Sequence, residues 1–426
     1  MKRILAIILA SAISVSILIS CVSPVGPAES ASPVVAPEPV EIRFIGQFGG
    51  TDPTTPIFDE ILKKFTDTYP YITVVNESNT ADESWKARVT TDFSSGNDPD
   101  VVQYFNGPDA RILIENKKVV AIEEIKKIYP DYAGNISEEA MSYMKEYDGN
   151  HYGVPVRGFY EGLFCNKDLF EKYGLDLPTD WEKLEAAISG FSAEGVVPIA
   201  ASFSDVPHYL IEHLILAEGG IEDHSVNPKD HYPESWAKGI SYFRKFKEMG
   251  AFPVDVNATK NDIAANLFYN KQAAMIVDGS WSIGSIKYPE TTVILPFPPT
   301  PEGKKDPSDI IVGFTVGFYI STKAWNNPAK RDAAVMLVEA LTSNESIAAY
   351  AEVGGIPAAD IGPIASHNNV MKLGLEMSKA AKGLAMPIDS RLSKEAWTYF
   401  VSQIGSLADG QITPEALLNE VVKKNK

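Results

Sequence analysis

The fold is decided by residues 41–104, which read EIRFIGQFGGTDPTTPIFDEILKKFTDTYPYITVVNESNTADESWKARVTTDFSSGNDPDVVQY. Apolar runs at 41–47, 72–75 and 100–104 predict strands, because they are short and bounded by turn residues. Between them, 57–65 and 85–93 place apolar residues at helical spacing. This alternation predicts an α/β fold with a parallel sheet covered by helices. In such sheets, ligands bind beyond the carboxyl ends of the strands.

Shorter elements follow in the rest of the chain. Apolar runs predict strands at 196–201, 273–277 and 292–301. Residues 310–321 alternate in hydrophobicity like a hairpin or an edge strand. Helical spacing fills most of the sequence after them, and no repeat of fixed period is present.

The N-terminus has the order of a secretion signal. Lys2 and Arg3 precede an uncharged apolar run at 4–19, which is short for a membrane span. Residues 18–21 read LISC and resemble the lipobox of bacterial lipoproteins, in which the peptide is cut before the cysteine and the thiol carries a lipid. We therefore expect a signal peptide at 1–20 and lipidation of Cys21; the alternative is a simple N-terminal membrane anchor.

A tether follows the predicted cleavage site. Residues 22–40 contain five prolines and three serines without an aromatic residue, a composition that cannot bury enough apolar surface to fold. We therefore expect 21–40 to be a lipid-anchored linker. It would hold a folded body at the outer face of the cytoplasmic membrane or in the periplasm, and the sequence leaves both locations open.

Composition limits the classes of partner. The formal net charge is −18, and removing residues 1–20 would take away two more positive charges, so phosphate backbones would be repelled and nucleic acid is excluded as a partner. The length exceeds what one hydrophobic core usually supports, which favours two domains. If Cys21 is acylated, Cys165 has no disulfide partner, and its apolar neighbours predict a buried structural thiol.

Six short motifs then occur in a fixed order along the chain. They are DPDVV at 98–102, LIENKKVV at 113–120, YGVP at 152–155 with GLFCNKDLF at 162–170, LPTDWE at 177–182, NKQAAM at 270–275 with GSW at 279–281, and GQITPEAL at 410–417. Together they resemble the family 1 extracellular solute-binding proteins, relatives of maltose-binding protein. Cys165 and Asn270 depart from the family's usual tyrosine and glycine, at positions outside the ligand argument.

The resemblance implies an α/β, two-lobed periplasmic-binding-protein fold (type II), with a hinge of crossing strands and a ligand cleft between the lobes. Carried onto this sequence, lobe one holds 41–153 plus 297–343, and lobe two holds 157–294 plus 346–426. The crossings would lie near 154–157, 294–299 and 341–346. It also implies a monomer without a cofactor, which delivers a solute to the permease of an ABC transporter.

A sugar has apolar ring faces and a rim of hydroxyls, so a cleft for it should combine aromatic side chains with amide, carboxylate or guanidinium groups. The candidate ligand-binding residues are Trp281, Tyr104, Trp397, Arg157, Tyr160, Gln47, Asp52, Asn106, Asp278 and Tyr209. The resemblance places Trp281 in the cleft and Trp397 in a ligand-contacting helix. Three weaker candidates are His208, Asp389 and Arg391.

Each candidate has a plainer interpretation. The aromatic residues could belong to cores, Trp397 in a stripe with Phe400, and Arg157 could be a surface charge or pair with an acid across the lobes. Because neighbours on a strand point to opposite faces, one of Tyr104 and Phe105 must face lobe one, and we expect Tyr104 to face the ligand.

Alternative functions remain open from the sequence. The same fold could bind a polyamine, a peptide or a phosphorylated polyol, and a cationic ligand would require several carboxylates converging in the cleft. A surface-anchored glycoside hydrolase or lyase is a further alternative. The chain lacks the common hydrolase, metalloprotease and phosphate-loop motifs, and its six histidines have no zinc-binding spacing. We therefore expect no catalysis and no metal site.

Overall fold

A computed structural model describes residues 38–50, 52–80, 83–364 and 367–426. One compact unit runs from Pro39 to Lys426, and the other, Met1–Glu38, lies outside the described residues except for Glu38. The predicted signal peptide, the lipidated Cys21 and most of the predicted linker therefore lie outside the described residues. Among the described residues, no helix combines the length and the apolarity that a membrane span needs.

The strands of the described residues are mostly short and largely buried. They are β1 Val40–Ile45, β2 Ile72–Asn76, β3 Val101–Phe105, β4 Arg157–Asn166, β5 Val197–Ala200, β6 Ala273–Gly279, β7 Thr292–Leu295, β8 Ile310–Gly313, β9 Val316–Ile320, β10 Ile356–Pro357 and β11 Leu384–Ala385.

The helices lie between and after these strands. They are α1 Thr55–Thr68, α2 Glu83–Ser94, α3 Pro108–Glu115, α4 Ile122–Ile125, α5 Glu138–Tyr143, α6 Lys167–Tyr173, α7 Trp181–Ala193, α8 His208–His224, α9 Glu234–Glu248, α10 Asn261–Tyr269, α11 Thr322–Trp325, α12 Pro328–Leu341, α13 Asn344–Ala351, α14 Asn369–Ala380, α15 Lys394–Ser402, α16 Ile404–Ala408 and α17 Pro414–Lys424. Short 3₁₀ helices cover Ser280–Ser285 and Ile388–Arg391.

The first sheet confirms the βαβαβ pattern at the start of the chain. Within the described residues its strand order is β2-β1-β3-β9, with β1 parallel to β2 and β3, and β9 antiparallel to β3. Ile42 and Phe44 alternate toward a core that α1 and α12 also line, and both are fully buried. The carboxyl ends of β1 and β3 therefore open into the polar segments that follow them.

The second sheet is organised around the long strand β4. Within the described residues its order is β11-β8-β4-β6-β5, and β7 and β10 also pair with β4. It covers a second hydrophobic core, which includes Trp236 of α9, Leu214 of α8 and Phe400 of α15. Two sheets with separate cores are what the length of the chain predicts.

In the part of the chain that the structure describes, we identify three passages between the two sheets, and two of them differ from the predicted crossings. Val154 bridges Phe318 of β9, and three residues later β4 begins, so the first passage lies at the predicted position. The second lies between β8 and β9, later than the predicted 294–299, because β7 and β8 both pair with β4.

The third passage also comes later than the predicted 341–346. Helices α12 and α13 still contribute Leu341 and Ile347 to the first core, and β10 then pairs with the start of β4.

Residues 310–321 are likewise not a hairpin, since β8 and β9 belong to different sheets. A short apolar alternation predicts a strand but not the strand with which it pairs, because pairing depends on residues far apart in the sequence.

Candidate functional site

We call the part of the molecule around the first sheet the first half, and the part around the second sheet the second half. Five partly exposed rings form a continuous surface on the second half, which we call the aromatic wall: Phe159, Trp281, Tyr209, His208 and Trp397. The ring centroids of Phe159 and Trp281 are 5.1 Å apart, and Tyr209 follows at 5.4 Å from Trp281. His208 lies 4.1 Å from Tyr209 and 5.8 Å from Trp397. The wall thus brings four predicted residues together: Trp281, Tyr209, Trp397 and the weaker candidate His208.

Local structure explains how the wall forms. Trp281 lies in the 3₁₀ turn that ends β6, and its ring folds back over Gly279, where a Cβ atom would lie 2.3 Å from the indole. His208 and Tyr209 begin α8, directly after Pro207. Strand ends and helix starts are places where a large side chain can remain accessible while its backbone is held firmly.

Four carboxylates act electrostatically on Tyr209 of the wall, and we call them the carboxylate cluster: Glu161 of β4, Glu212 of α8, Asp278 of β6 and Asp389 of the second 3₁₀ helix. Glu161 and Glu212 are each 2% exposed and Asp278 is 4% exposed, whereas Asp389 is half-buried. Tyr209 connects the two features, because burial and then the charges of all four carboxylates raise its pKa.

The cluster holds its protons more tightly than ordinary carboxylates. Burial raises the pKa of Glu161 well above its ordinary value, and the charges of Glu212, Asp278 and Asp389 act in the same direction. Burial and then Asp389 raise the pKa of Glu212, although it accepts a hydrogen bond from Ile388 N at 3.1 Å. A carboxylate in an apolar site beside others of like charge favours its neutral form.

The pKa values of the two aspartates in the cluster are raised less than those of the two glutamates. Burial raises the pKa of Asp278 to about 6, against a hydrogen bond of 2.8 Å that its Oδ1 accepts from Gly279 N and against the side chains of Trp281 and Ser282. Burial also raises the pKa of Asp389 to about 6, against the opposing charge of Lys86. Both therefore titrate close to neutral pH.

Residues of the first half meet this region from the opposite side. Asp109 of α3 lies 3.1 Å from Lys86 Nζ and 3.9 Å from Lys394 Nζ of α15, so its carboxylate links the two halves. Lys86 Nζ also lies 4.5 Å from the centroid of the Phe105 ring. One cation of the first half, Lys86, thus acts on Asp389, and the Phe105 ring lies beside that cation.

Three predicted polar residues, Arg157, Asp52 and Gln47, have other partners. Arg157 Nη1 donates to Gly354 O at 3.2 Å, and burial lowers the pKa of Arg157 while the charge of Asp52 opposes this. Arg157 begins β4 and Asp52 follows β1, so the two charges belong to different halves of the molecule. Gln47 donates its backbone N–H to Gln103 Oε1, and its buried Nε2 has no hydrogen-bond partner among the described residues.

Three residues predicted to bind the ligand, Tyr104, Tyr160 and Asn106, lie outside the aromatic wall. Tyr104 is 1% exposed and packs against Trp85 in the first core, so the more accessible neighbour is Phe105, opposite to the expectation. Tyr160 is fully buried on the face of β4 opposite to Phe159, with its ring against Gly374.

The side chain of Asn106 is held by hydrogen bonds to backbone carbonyl groups. Its Nδ2 donates to Tyr143 O at 2.9 Å and to Phe314 O at 3.1 Å, and its backbone N–H donates to Thr315 O. These bonds tie the end of β3 to the passage between β8 and β9. The side chain therefore holds the crossing rather than offering its amide nitrogen to a ligand.

Sequence reasoning missed Phe159, Glu161 and Glu212. The signal for the first two was present, because Arg157, Phe159 and Glu161 alternate on one face of β4 and so point together. Glu212 lies three residues after Tyr209, which is the spacing of one helical face. The alternation of the strand instead turns the ring of Tyr160, which was predicted for its chemistry, to the opposite, buried face.

Two surface cavities lie outside this site. One of about 480 Å³ is lined by residues of α9 and α17, and one of about 550 Å³ by the loop after β5 together with α15 and α16. Neither is lined by the aromatic wall or by the carboxylate cluster. No group of three metal-binding side chains is arranged to hold a metal ion among the residues with described positions.

Two α/β halves joined by crossing segments, with aromatic rings and buried polar groups where they meet, define a solute-binding protein of the hinged type. The chain belongs to the bacterial extracellular solute-binding protein family, whose model matches residues 51–348. A chitin oligosaccharide binding protein of known structure has the same fold, with a TM-score of 0.79 at 20% identity, covering 90% of this chain and 97% of that one. The expected two-lobed α/β fold is thereby confirmed.

Proteins related to this chain by sequence are also named as binding proteins. The multiple sugar-binding protein of Streptococcus mutans is 23% identical over 317 residues, which is 67% of this chain and 74% of that protein. A putative binding protein of Brucella abortus is 31% identical over 144 residues, 33% of this chain. The chain matches about a third (34%) of the length of that relative. The family and these relatives are binding proteins.

Proposed function

We propose that this protein captures a sugar or an oligosaccharide, catalyses no reaction, and delivers its ligand to the permease of an ABC importer. The observation that carries the proposal is the aromatic wall beside buried carboxylates, where Lys86 and Asp109 of the first half meet Asp389 and Lys394 of the second. Flat rings suit the C–H faces of a sugar, and carboxylates accept hydrogen bonds from its hydroxyls. A relative named for multiple sugars and a fold match named for chitin oligosaccharides support the same class of ligand.

The mechanism we propose is hinge closure. The three passages between the sheets would act as the hinge, and a sugar that touches both halves would favour the closed form because it binds that form better. The predicted lobe assignments follow from this proposal, with the second and third crossings moved to the later positions of the structure. We further propose that a lipid on Cys21 and the linker 21–40 keep the protein at the membrane surface, as a monomer.

Thermal-shift screening against a sugar library tests the proposal. A ligand at about 100 times its dissociation constant should stabilise the folded state by about 2.7 kcal/mol. Candidate oligosaccharides should be recovered unchanged after incubation, since released products would instead indicate a hydrolase or lyase. Absence of any sugar-dependent shift, together with stabilisation by a peptide or a phosphorylated polyol, would contradict the proposed ligand class.

A matched pair of variants locates the site. Trp397→Ala should weaken sugar binding, because it removes the end of the aromatic wall. Tyr288→Ala, at an exposed ring outside the wall, should leave binding unchanged. Mass spectrometry of the membrane-bound protein tests the anchor, because the natural protein should carry a lipid on Cys21 and a Cys21→Ala variant should not.

A further inference from the structure

The turn that carries Trp281 touches the first half of the molecule. This turn is the 3₁₀ helix Ser280–Ser285, in which Gly284 is exposed. A Cβ atom added to Gly284 would lie 3.0 Å from Cβ and 3.2 Å from Cγ of Pro53, which follows β1 in the first half. Carbon atoms that are not bonded to each other pack best at about 3.5–4.0 Å. The two halves therefore meet here so closely that a side chain at position 284 does not fit without movement.

On the first-half side of this contact, Pro53 is held in a short rigid loop. Oδ1 of Asp52 accepts hydrogen bonds from N and from Oγ1 of Thr54. Thr55 N donates to Asp52 O at 3.1 Å, where α1 begins. The proline ring also fixes the φ angle of Pro53 itself. Pro53 therefore cannot move aside unless the start of α1 rearranges.

On the other side, the turn is anchored in the second half. Ser282 Oγ donates to Gly279 O at 2.9 Å, at the end of β6. Ile283 is 1% exposed and belongs to a hydrophobic cluster of the second half. A force on Gly284 therefore acts on the second half as a whole rather than on a loose loop.

The contact also lies beside one of the passages between the sheets. The Cβ position of Gly284 is 3.8 Å from Val353 O, and Val353 lies in the third passage, between α13 and β10. Gly354, whose φ is 110°, approaches the same turn, since a Cβ atom on it would lie 2.7 Å from Ser280 O. An obstacle this close to the proposed hinge opens the far edge of a cleft by more than its own width, because the halves rotate as bodies.

The second half by itself gives no reason for a glycine at position 284. The φ of Gly284 lies outside the left-handed region that favours glycine. Beyond the adjoining chain, the described atoms nearest to its Cβ position belong to Pro53 and Val353. The need for a residue without a side chain therefore arises only where the two halves come together.

We propose that Gly284 is a positioning residue for closure, because its missing side chain lets the Trp281 turn pack against Pro53. This inference rests on the proposed hinge closure and names a residue on which that closure depends. A larger side chain at 284 holds the halves apart and lowers the closed fraction of the protein. The affinity for a ligand that requires the closed form falls by the same factor.

The rate of cross-linking between the halves measures closure without a ligand. Side chains of Asp109 and Lys394 approach to 3.9 Å across the halves, so Asp109→Cys and Lys394→Cys should be joined by a short bis-maleimide fastest in the closed form. A Cys21→Ala background leaves only Cys165 of the natural thiols, and it is fully buried. In this background Gly284→Val should slow cross-linking roughly tenfold and Gly284→Ala less, because the closed fraction falls as the side chain grows.

A matched control and a rescue assign the effect to the contact. Ser285→Val adds bulk at the next, exposed residue of the turn and should leave the rate unchanged. Pro53→Gly removes the opposing atoms, so adding it to Gly284→Val should restore the rate to within about twofold, as expected for two coupled residues. Thermal melting should show that Gly284→Val folds as stably as its parent. An unchanged rate in Gly284→Val, or a slow rate that Pro53→Gly does not restore, would overturn the proposal.

Calorimetric titration with maltotriose, raffinose and the chitin trimer separates this inference from the function on which it rests. For a sugar that binds the natural protein, Gly284→Val should reduce the affinity by the factor by which it slows cross-linking. Unchanged affinity would overturn the role of Gly284 and leave sugar binding intact. If neither these sugars nor the wider library bind the folded protein, the sugar-binding proposal fails, whereas slowed and rescued cross-linking would still support the role of Gly284.

Discussion

Neutralising Asp278 should stabilise the unliganded protein, and the effect should depend on pH. Burial raises the pKa of Asp278 from its ordinary value of 3.8 to about 6. The folded protein therefore holds a proton that the unfolded chain releases near pH 4. Each pKa unit corresponds to about 1.4 kcal/mol, so this difference is worth about 3 kcal/mol.

The sign follows from the raised pKa. The stability that protonated Asp278 contributes is fully present below about pH 4, falls as the pH rises toward about 6, and is absent above it. Asp278→Asn removes this dependence, because the amide stays neutral and its Oδ1 can still accept from Gly279 N. The variant should thus gain up to about 3 kcal/mol over the natural protein between pH 3.5 and pH 7.

Urea unfolding at several pH values measures the difference directly. The quantity to compare is the free energy of unfolding of the variant minus that of the natural protein, because contributions from titrating groups on which Asp278 does not act then cancel. Asp67→Asn, at an exposed position paired with Lys63, controls for the loss of a negative charge. A difference that stays constant with pH, or a variant that is less stable at pH 7, would refute the reasoning.

Three further changes probe the wall and the contact between the halves. Trp281→Ala should weaken sugar binding at least tenfold while lowering the unfolding free energy little, as measured by calorimetry and thermal melting; a large loss of stability would assign the ring to the core. Gly279→Ala should weaken binding almost as much, because its Cβ would displace the Trp281 ring, and unchanged affinity would contradict that packing. Asp109→Asn removes the charge that faces Lys394, so small-angle scattering should show a larger radius of gyration without ligand; an unchanged radius would mean that this contact does not hold the halves together.

The local elements could be predicted from the sequence because periodicity reports which face is buried. The first three strands and the two helices between them lie within a few residues of the predicted bounds. The partners of later strands could not be obtained in this way. Residues 310–321 alternate as expected, yet β8 joins the second sheet and β9 the first, because pairing depends on contacts far apart in the chain.

The candidate site was predicted in part. Trp281, Tyr209 and Trp397 were named from the sequence, and the structure brings them together in one wall. Tyr104 and Tyr160 are buried, because a ring chosen for its chemistry can point to either face of its strand.

Two members of the carboxylate cluster, Asp278 and Asp389, were named from the sequence, but Glu161 and Glu212 were not. With 56 acidic residues in the chain, no pattern distinguishes Glu161 and Glu212 from the others. Their convergence arises because β4, α8 and β6 meet in the second half, which no local signal encodes. Their burial, which raises their pKa values, is also a property that only the folded chain has.

A crystal structure of the protein with its tightest-binding sugar tests the central claim most directly. We expect the sugar ring to lie against Trp281 and Tyr209, with a polar group within hydrogen-bond distance of Glu161 or Asp278 and contacts from both halves. A sugar bound elsewhere, for instance in the cavity of about 550 Å³ behind α15, would contradict the account.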